Sequence, residues 1–338
     1  MYFLYRALLC CALLTGCVKV PTVVAVVETE PVASTDDAAD DPAIWVHPRD
    51  PSRSLVFATD KKHGIEVYSL DGERVQSLPV GHVNNIDIRQ KIEWGEKRID
   101  VAVATNRSTN SLTVLLIETN SGRAVVSEED SIQLDFETPY GICLYRPKAD
   151  STLHAFVNDK DGRYEQWHLA PTQGSRRVGK FRTTSQPEGC VADDEQDVLY
   201  YGVEERGLYR REIDEGLTST PALLAGVGQG HLVADVEGIA LYKTGADAGF
   251  VIVSSQGNSR YVVFRREGMN ELVGSFRITS DSRIDGTSET DGIDATHLVT
   301  TVRFPKGLFV AQDGANTQPT ANQNFKLVSW ADIERAIQ

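Results

Sequence analysis

The segment EGIALY, residues 237–242, decides the fold, because its pattern returns six times along the chain. Each copy is followed by a second apolar run that ends in polar side chains and by a third strand-like run, and every copy but the sixth also has a fourth. Six equivalent units of four short strands predict an all-β fold, a six-bladed β-propeller with four-stranded antiparallel blades. The central apolar residues of the copies are Ile44, Ile86, Ile142, Cys190, Ile239 and Ile293, at steps of 42, 56, 48, 49 and 54 residues.

The sixth copy lacks a fourth strand at the end of the chain. The segment TVVAVVET, residues 22–29, can supply it, so we expect a ring closed by the N-terminal strand, which removes an open sheet edge. A pair of β-sandwiches is the alternative fold, but it does not explain six equivalent copies. The only convincing helix is the C-terminal WADIERAIQ, residues 330–338.

The composition separates classes of partner. The 338 residues carry a formal charge of −14, with 34 Lys plus Arg against 48 Asp plus Glu. Duplex nucleic acid is an unlikely ligand for such a chain, because Lys and Arg contacts to phosphate supply most of the affinity in those complexes. The acid excess leaves two interpretations, simple solubility or carboxylates gathered around cations. We expect a monomer that does not bind nucleic acid.

The N-terminus is typical of an export signal, with one positive charge at Arg6 and an apolar run that is too short to cross a membrane. Residues 14–17, LTGC, resemble a bacterial lipobox, which predicts a signal peptide at 1–16 and an acylated Cys17. An ordinary cleaved signal peptide is the alternative.

The lipobox interpretation divides the chain into three parts. We expect a lipidated anchor and linker at 17–21 and a single propeller domain at 22–338. No Asp follows Cys17, which favours an outer-membrane lipoprotein facing the periplasm or the cell surface. Membrane contact is then made only through the lipid on Cys17.

Two cysteines lie inside the predicted domain, Cys143 and Cys190. A disulfide is possible in an exported chain. However, Cys143 comes two residues after a repeat glycine and Cys190 only one, so the two side chains point to opposite faces of equivalent strands. We therefore expect buried free thiols.

In a propeller the innermost strands run the same way along the central axis, so the residues at their starts gather at one mouth. The ends of the second strands reach the same face. The first set contains Asp40, Asp41, Asn84, Asn85, Tyr140, Glu188, Asp235, Glu237 and Asp291, and the second Asp60, Asn106, Asp159, Glu204, Gln256 and Asp313.

These oxygen-bearing side chains suit Ca²⁺, which accepts 6 to 8 oxygen ligands in flexible geometry. So many carboxylates would repel one another unless cations neutralised them. The alternative for any single Asp-Gly or Glu-Gly pair is a turn. Recurrence of the acids at one phase of the repeat favours a cation site. The histidines lack zinc-ligand spacing, and no G-x-S-x-G motif indicates a serine hydrolase.

Basic residues follow the ends of the second strands, at Lys61, Lys62, Arg107 and Lys160. Unpaired positive charge beside acids is expected where an anion binds. A mouth that combines cation ligands with Lys and Arg is typical of a phosphate site. Ordinary solvated surface charge is the alternative.

Nine motifs in order, from about residue 28 to residue 337, resemble the β-propeller phytases, a family of calcium-dependent phosphatases of myo-inositol hexakisphosphate. They are DDAADDPAIWVHPRDP, TDKKHGIEVYSLDG, NNIDIR, ATNRS, QPEGCVADDE, DVEGIALY, SSQGNSRY, DGTSETDGID, and GLFVAQDG followed by NQNFKLVSW. The resemblance implies that a calcium-bridged water attacks one phosphate in line while a neighbouring phosphate is held close by. We expect the substrate to be phytate in the form of its calcium complex. The resemblance also implies several calcium ions, both structural and catalytic.

The resemblance carries site residues to positions in this chain. It implies calcium ligands at Asp41, Pro42, Asn85, Ile86, Tyr140, Glu188, Asp235, Glu237, Gln256, Asp285 and Asp291, with Pro42 and Ile86 acting through backbone carbonyls. It implies catalytic or phosphate-contact roles for Lys61, Arg107, Tyr140, Lys160, Asp161, Glu188 and Glu204. The chain departs from the family pattern at three places. Glu289 stands where the family usually has Asp, and Asp161 stands where it commonly has Glu. The loop that continues with Ala315 contains no acid.

Two other functions stay open at this point. A calcium-dependent lactonase or esterase of the six-bladed type needs an uncharged ester, and it leaves Lys61, Arg107 and Lys160 without a task. A non-catalytic module that binds phosphorylated ligands is the second alternative, and it would bind an inositol phosphate without turnover.

Overall fold

Six antiparallel sheets arranged around one axis form a six-bladed β-propeller in the computed structural model, which describes residues 20–172 and 174–338. The predicted fold class is confirmed. The predicted leader and the acylated Cys17 lie outside the described residues. Among the described residues, no helix is long and apolar enough to cross a membrane.

The strands of each blade are given from the innermost to the outermost. Blade one contains β3 (Ala39–Trp45), β4 (Leu55–Asp60), β5 (Gly64–Ser69) and β6 (Arg74–Leu78). Blade two contains β7 (Val83–Trp94), β8 (Lys97–Asn106), β9 (Ser111–Ile117) and β10 (Ala124–Gln133). Blade three contains β11 (Pro139–Tyr145), β12 (Leu153–Asp159), β13 (Arg163–Leu169) and β14 (Arg176–Arg182).

The second half of the ring follows the same order. Blade four contains β15 (Pro187–Asp193), β16 (Val198–Val203), β17 (Gly207–Glu212) and β18 (Ala222–Gly226). Blade five contains β19 (Val236–Lys243), β20 (Gly249–Ser255), β21 (Arg260–Arg265) and β22 (Leu272–Ile278), with β1 (Thr22–Val23) outside them. Blade six contains β23 (Ile293–Thr296), β24 (Leu308–Asp313), β25 (Asn324–Ser329) and β2 (Val27–Glu28). The helix α1 (Trp330–Ile337) follows, and short 3₁₀ turns occupy Pro51–Arg53, Glu215–Leu217 and Gln256–Asn258.

The N-terminal segment closes the ring, as predicted, but it does so in two pieces. β2 pairs antiparallel with β25, with Glu28 opposite Lys326, and completes blade six. β1 pairs in parallel with β22 of blade five. Between the two pieces Ala25 is buried in an apolar cluster that also contains Phe276 and Trp330. The segment therefore crosses from one blade to the next and ties both to the chain's end.

The apolar core lies between the blades, where the face of one sheet packs on the opposite face of the next. Cys143 of β11 and Cys190 of β15 share such a cluster with Phe156 and Tyr201 and form a disulfide, with Cα atoms 5.7 Å apart. The expectation of free thiols is wrong. Side chains on opposite faces of equivalent strands cannot meet within one sheet, but they face each other when the strands belong to adjacent blades.

Candidate active site

A glycine follows the acidic residue at the start of three innermost strands, and the reason is close approach of the backbones. A Cβ added to Gly189 would lie 2.3 Å from the carbonyl oxygen of Glu237, and one added to Gly238 would lie 2.6 Å from that of Asp291. Gly189 and Gly238 lie within β15 and β19, so these pairs are strand residues and not turns. The glycines let neighbouring inner strands converge on the axis, which carries the preceding acids to one mouth.

The mouth is a cavity of roughly 420 Å³ at the start of the inner strands. Six of the eleven predicted metal ligands line it, together with Lys61 and Glu204. Those six are Tyr140, Glu188, Asp235, Glu237, Gln256 and Asp291.

The other predicted ligands lie elsewhere. Four of them line a separate axial cavity of roughly 40 Å³ between the inner strands, namely Asp41, Pro42, Asn85 and Ile86. Burial raises the pKa of Asp41 well above its usual range, and Asp40 adds repulsion. Asp285 lines a third cavity near blade six, where its carboxylate accepts hydrogen bonds from the buried Lys326 and from Thr317.

We call Glu188, Glu204, Glu237 and Asp291 the mouth carboxylates. Glu188, Glu204 and Glu237 each place one carboxylate oxygen within 4.8 Å of the others. Burial raises the pKa of Glu188, and repulsion by Asp40 raises it further. Burial followed by repulsion from Glu188 raises the pKa of Glu237 well above its usual range. The cluster therefore stores electrostatic repulsion that a cation would relieve.

Glu204 is only partly buried, whereas Glu188 and Glu237 are buried. Burial and the charges of Glu188 and Asp235 raise its pKa to about 7, although Gln186 donates a hydrogen bond of 2.5 Å to its Oε1 and works in the opposite direction. A carboxyl group that titrates near neutral pH is suited to holding or releasing a proton during a reaction.

The residues of the mouth fit a hard cation. Among the described residues, Glu237 Oε2 is buried and has no hydrogen-bond partner. Leaving a carboxylate oxygen buried and unpaired is costly unless a proton or a cation is present. The donor set around it is made of carboxylate, amide and phenol oxygens, which is the chemistry that Ca²⁺ prefers over zinc or copper.

Lys61 is not the free cation that the sequence suggested. Its Nζ lies 2.5 Å from Asp37, 3.1 Å from Asp291 and 3.3 Å from Asp40, and its side chain is only 13% exposed. Burial would lower its pKa, but the three carboxylates outweigh burial and raise it. The prediction of an unpaired charge at Lys61 is wrong, because Lys61 is paired with Asp37 from the loop before β3, with Asp40 from β3 itself and with Asp291 from the start of blade six.

Arg107 and Lys160 keep their charge available at the rim of the mouth. The Arg107 side chain makes one long hydrogen bond of 3.4 Å, from Nη2 to the carbonyl of Val83. The Lys160 Nζ lies 4.0 Å from the centroid of the Tyr140 ring, a cation–π contact that holds the ammonium beside the mouth. Burial and the charge of Glu188 raise the pKa of Tyr140, so its phenol keeps its proton.

Asp161 is not brought into the mouth. Its Oδ2 accepts hydrogen bonds of 3.1 Å from Arg163 Nε and from Arg182 Nη2, so the carboxylate is directed toward the outer strands of blade three. Burial would raise the pKa of Asp161, but the hydrogen bond from the Arg163 backbone, the hydrogen bond from Arg182 and the charges of both arginines together lower it. The geometry gives this residue an ion-pairing role in the blade.

The structure also corrects the grouping of the second-strand ends. In blades four and five the second strand ends at Val203 and Ser255, so Glu204 and Gln256 are the next residue along. They are equivalent to the residues that follow Asp60, Asn106 and Asp159. The six equivalent positions, one per blade, are Lys61, Arg107, Lys160, Glu204, Gln256 and Gly314.

This ring of equivalent turn residues is polarised. Its side chains are cationic in blades one to three and oxygen-bearing in blades four and five, and blade six has none. The same side of the mouth that offers Glu204 and Gln256 also offers Glu188 and Glu237. One half of the mouth can therefore hold a cation while the other half meets an anion.

Two buried residues that the repeat places at the mouth, Asp40 and Asn84, were assigned no role by the family resemblance. Asp40 is 1% exposed and accepts hydrogen bonds from Asn84, and Asn84 itself is fully buried. Gln186, the partner of Glu204, was also missed. The repeat gave a signal for Asp40 and Asn84, which stand at the same phase as the acids of the other copies, but neither belongs to the family pattern used to assign roles.

Comparison with known proteins assigns the chain to a family. The family described as Phytase matches residues 9–338. The chain belongs to the phytase family. The 3-phytase of Bacillus subtilis (strain 168) is similar to this family member, with 39% identity over 316 residues, which is 90% of this chain and 83% of that protein.

A solved structure of different sequence shares the fold of this phytase-family chain. The chain resembles BBS1N, solved in complex with ARL6DN, with a TM-score of 0.50 over 90% of this chain and 97% of that one. The identity is 11%, so this likeness concerns the fold alone.

Proposed function

We propose that this chain is a calcium-dependent phytase, which releases phosphate from myo-inositol hexakisphosphate supplied as its calcium complex. One observation carries the proposal, namely that a mouth lined by buried carboxylates is flanked by Arg107 and Lys160, at equivalent turn positions of blades two and three, in a member of the phytase family. A highly charged phosphate ester needs both sets of side chains, because metal ions and basic side chains share the charge of its oxygens.

Glu188, Glu237 and Asp291, with Gln256 and Asp235, would hold the calcium ions on one side. When bound, these ions neutralise phosphoryl oxygens and lower the pKa of a coordinated water. Arg107 and Lys160 bind phosphate oxygens at the rim and fix the orientation of the ring. Glu204, with its pKa near 7, holds a proton at its carboxyl group and can pass it to or from a reacting oxygen.

The neutral-ester alternative explains less of the site. A lactonase or esterase would leave the charges of Arg107 and Lys160 unused at the rim of the mouth. An exported lipoprotein bound to the outer membrane through Cys17, acting as a monomer, completes the proposal. An extracytoplasmic location agrees with the disulfide between Cys143 and Cys190.

A phosphate-release assay on phytate with a calcium titration tests the proposal, with p-nitrophenyl phosphate as the simple-ester control. We expect activity that a chelator abolishes, and a fall of about 100-fold in Glu188→Gln. We expect Arg107→Ala to raise KM for phytate. Glu271→Gln and Arg123→Ala remove an exposed carboxylate and an exposed guanidinium outside the mouth, and both variants should match the parent protein.

Three results would contradict the proposal. Full activity in a chelator would remove calcium, and full activity in Glu188→Gln would remove the mouth as the site. Tight binding of phytate without turnover at saturating calcium would favour the non-catalytic binding module.

A further inference from the structure

The fully buried Asn84 lies where three blades meet at the mouth. Its Nδ2 is 2.9 Å from Asp40 Oδ2 of blade one, 2.8 Å from Asn85 Oδ1 of blade two and 3.0 Å from Glu188 Oε1 of blade four. One amide group thus links oxygen atoms that are 44 and 104 residues away in the chain. No strand pairing connects these three blades at this point, so the contact is made by side chains alone.

The orientation of this amide follows from its neighbours. If the Asn84 group were reversed, its oxygen would lie within 3.0 Å of three other oxygens, two of them from carboxylates. The observed orientation leaves Oδ1 buried without a hydrogen-bond partner among the described residues. An unpaired buried carbonyl is unfavourable. The hydrogen bonds from Nδ2 to the Asp40 and Glu188 carboxylates offset this cost, and the nitrogen separates the two carboxylates.

The two carboxylates that Asn84 joins lie close to each other, because an oxygen of each is within 3.0 Å of the same Asn84 nitrogen. Lys61 neutralises Asp40 from the other side, at 3.3 Å. Asn84 therefore holds Glu188 by one oxygen, with the remaining oxygen available to Glu237, Glu204 and a cation.

We propose that Asn84 is a positioning residue, whose side-chain amide fixes the Glu188 carboxylate relative to Asp40 and so sets the geometry of the mouth. It acts as a hydrogen-bond donor and not as a cation ligand. The inference rests on the proposed function for its catalytic readout, but its effect on Glu188 is a property of the folded chain. Residues that orient ligands in this way typically change metal affinity or activity by about 10–100-fold when they are altered.

The substitution Asn84→Asp separates the two roles, because it keeps the shape and an oxygen but removes the N–H donor. Asn84→Ala removes both. We expect each variant to bind calcium at least about tenfold more weakly by isothermal titration calorimetry, and to lower kcat on phytate with a smaller change in KM. If Asn84 were a ligand through Oδ1, Asn84→Asp would bind calcium as tightly as the parent chain or more tightly, and that result would overturn the proposal.

Asn270→Asp is the matched control. Asn270 is also buried, and its Nδ2 also lies near three acceptors, the hydroxyl of Tyr200 and the carbonyls of Arg265 and Arg266, but in the loop between β21 and β22. We expect this variant to melt at a lower temperature and to keep calcium affinity and kcat. Equal losses of calcium affinity in both variants would reduce the role of Asn84 to general stability and refute the inference.

The calcium titration also separates this inference from the proposed function. If the parent chain binds calcium but does not hydrolyse phytate, the proposed function fails while the effect of Asn84→Asp on affinity still tests the positioning role. If the parent chain hydrolyses phytate and both Asn84 variants match it in affinity and kcat, only the positioning role fails.

Discussion

The disulfide between Cys143 and Cys190 should contribute a large part of the stability of the propeller. It closes a loop with a sequence separation of 47 residues. In the chain-entropy treatment a loop of that size restricts the unfolded chain by about 14 cal/mol/K, or about 4 kcal/mol at room temperature. Unfolding entropies of about 2.1 cal/mol/K per residue imply roughly 0.7 kcal/mol/K for the described chain, so the loss corresponds to about 6 °C in melting temperature.

The perturbation is best made in two ways that can be compared. Reducing the parent chain breaks the crosslink and keeps both sulfur atoms, whereas the double variant Cys143→Ala, Cys190→Ala also removes buried side-chain volume. We expect calorimetry to show a melting temperature about 6 °C lower in reductant for the parent chain. The double variant should melt at least as low and should not respond to reductant.

One result would refute the reasoning. If the oxidised and reduced parent chains melt within about 1 °C of each other, the crosslink does not restrict the unfolded chain as calculated. Mass spectrometry after alkylation of free thiols shows which form is present in each sample. A full complement of alkylated cysteines before reduction would show that the bond itself is absent.

Three further predictions concern the mouth. In a chelator the free energy of unfolding should fall as pH rises from about 4 to 7. Burial raises the pKa of Glu204 to about 7, so in this range the folded state binds a proton that the unfolded state has lost. Calcium should flatten this slope in calorimetric scans, and a flat curve in chelator would contradict the prediction. Gly189→Ala should lower the free energy of unfolding by about 1–3 kcal/mol in urea titrations, because the new Cβ would lie 2.3 Å from a carbonyl oxygen of the next blade. In the control Gly274→Ala the new Cβ meets no atom within 4 Å, so this free energy should not change. Lys160→Met should raise KM for phytate about tenfold with little change in kcat. Lys148 is exposed, and Lys148→Met should leave KM unchanged. Equal KM values for Lys160→Met and the parent chain in steady-state assays would exclude a phosphate contact.

The repeat made the fold predictable, because six copies of an apolar segment at nearly constant spacing leave few architectures open. The closure was predictable only in part. Residues 22–29 read as one strand, and the pairing of Glu28 with Lys326 agrees with that. The division at Ala25 depends on the cluster beneath it, which includes Trp330 from the far end of the chain. No local pattern contains that information.

The errors at the site have a common physical origin, which is that they depend on contacts between blades. The alternation of side chains along a strand gives the face on which Cys143 or Cys190 lies, but only the packing of blades shows that those faces meet. Likewise the position of Lys61 at a strand end was predicted, but its partner Asp291 is 230 residues away. Asn84 was placed at the mouth by the repeat, and its contact with Glu188 emerged only in three dimensions.

The charge of the mouth makes binding of a polyanion depend on cations. Seven acidic residues line the cavity, and Lys61 is the one lysine or arginine among its lining residues. Because Lys61 is already shared among three carboxylates, Arg107 and Lys160 at the rim are, among the described residues at the six equivalent turn positions, the cations that remain for an anion. A highly phosphorylated substrate would be repelled by such a cavity unless cations entered with it or before it. The excess of acidic residues is thus compatible with an anionic substrate, since the carboxylates would bind the cations whose positive charge attracts that substrate.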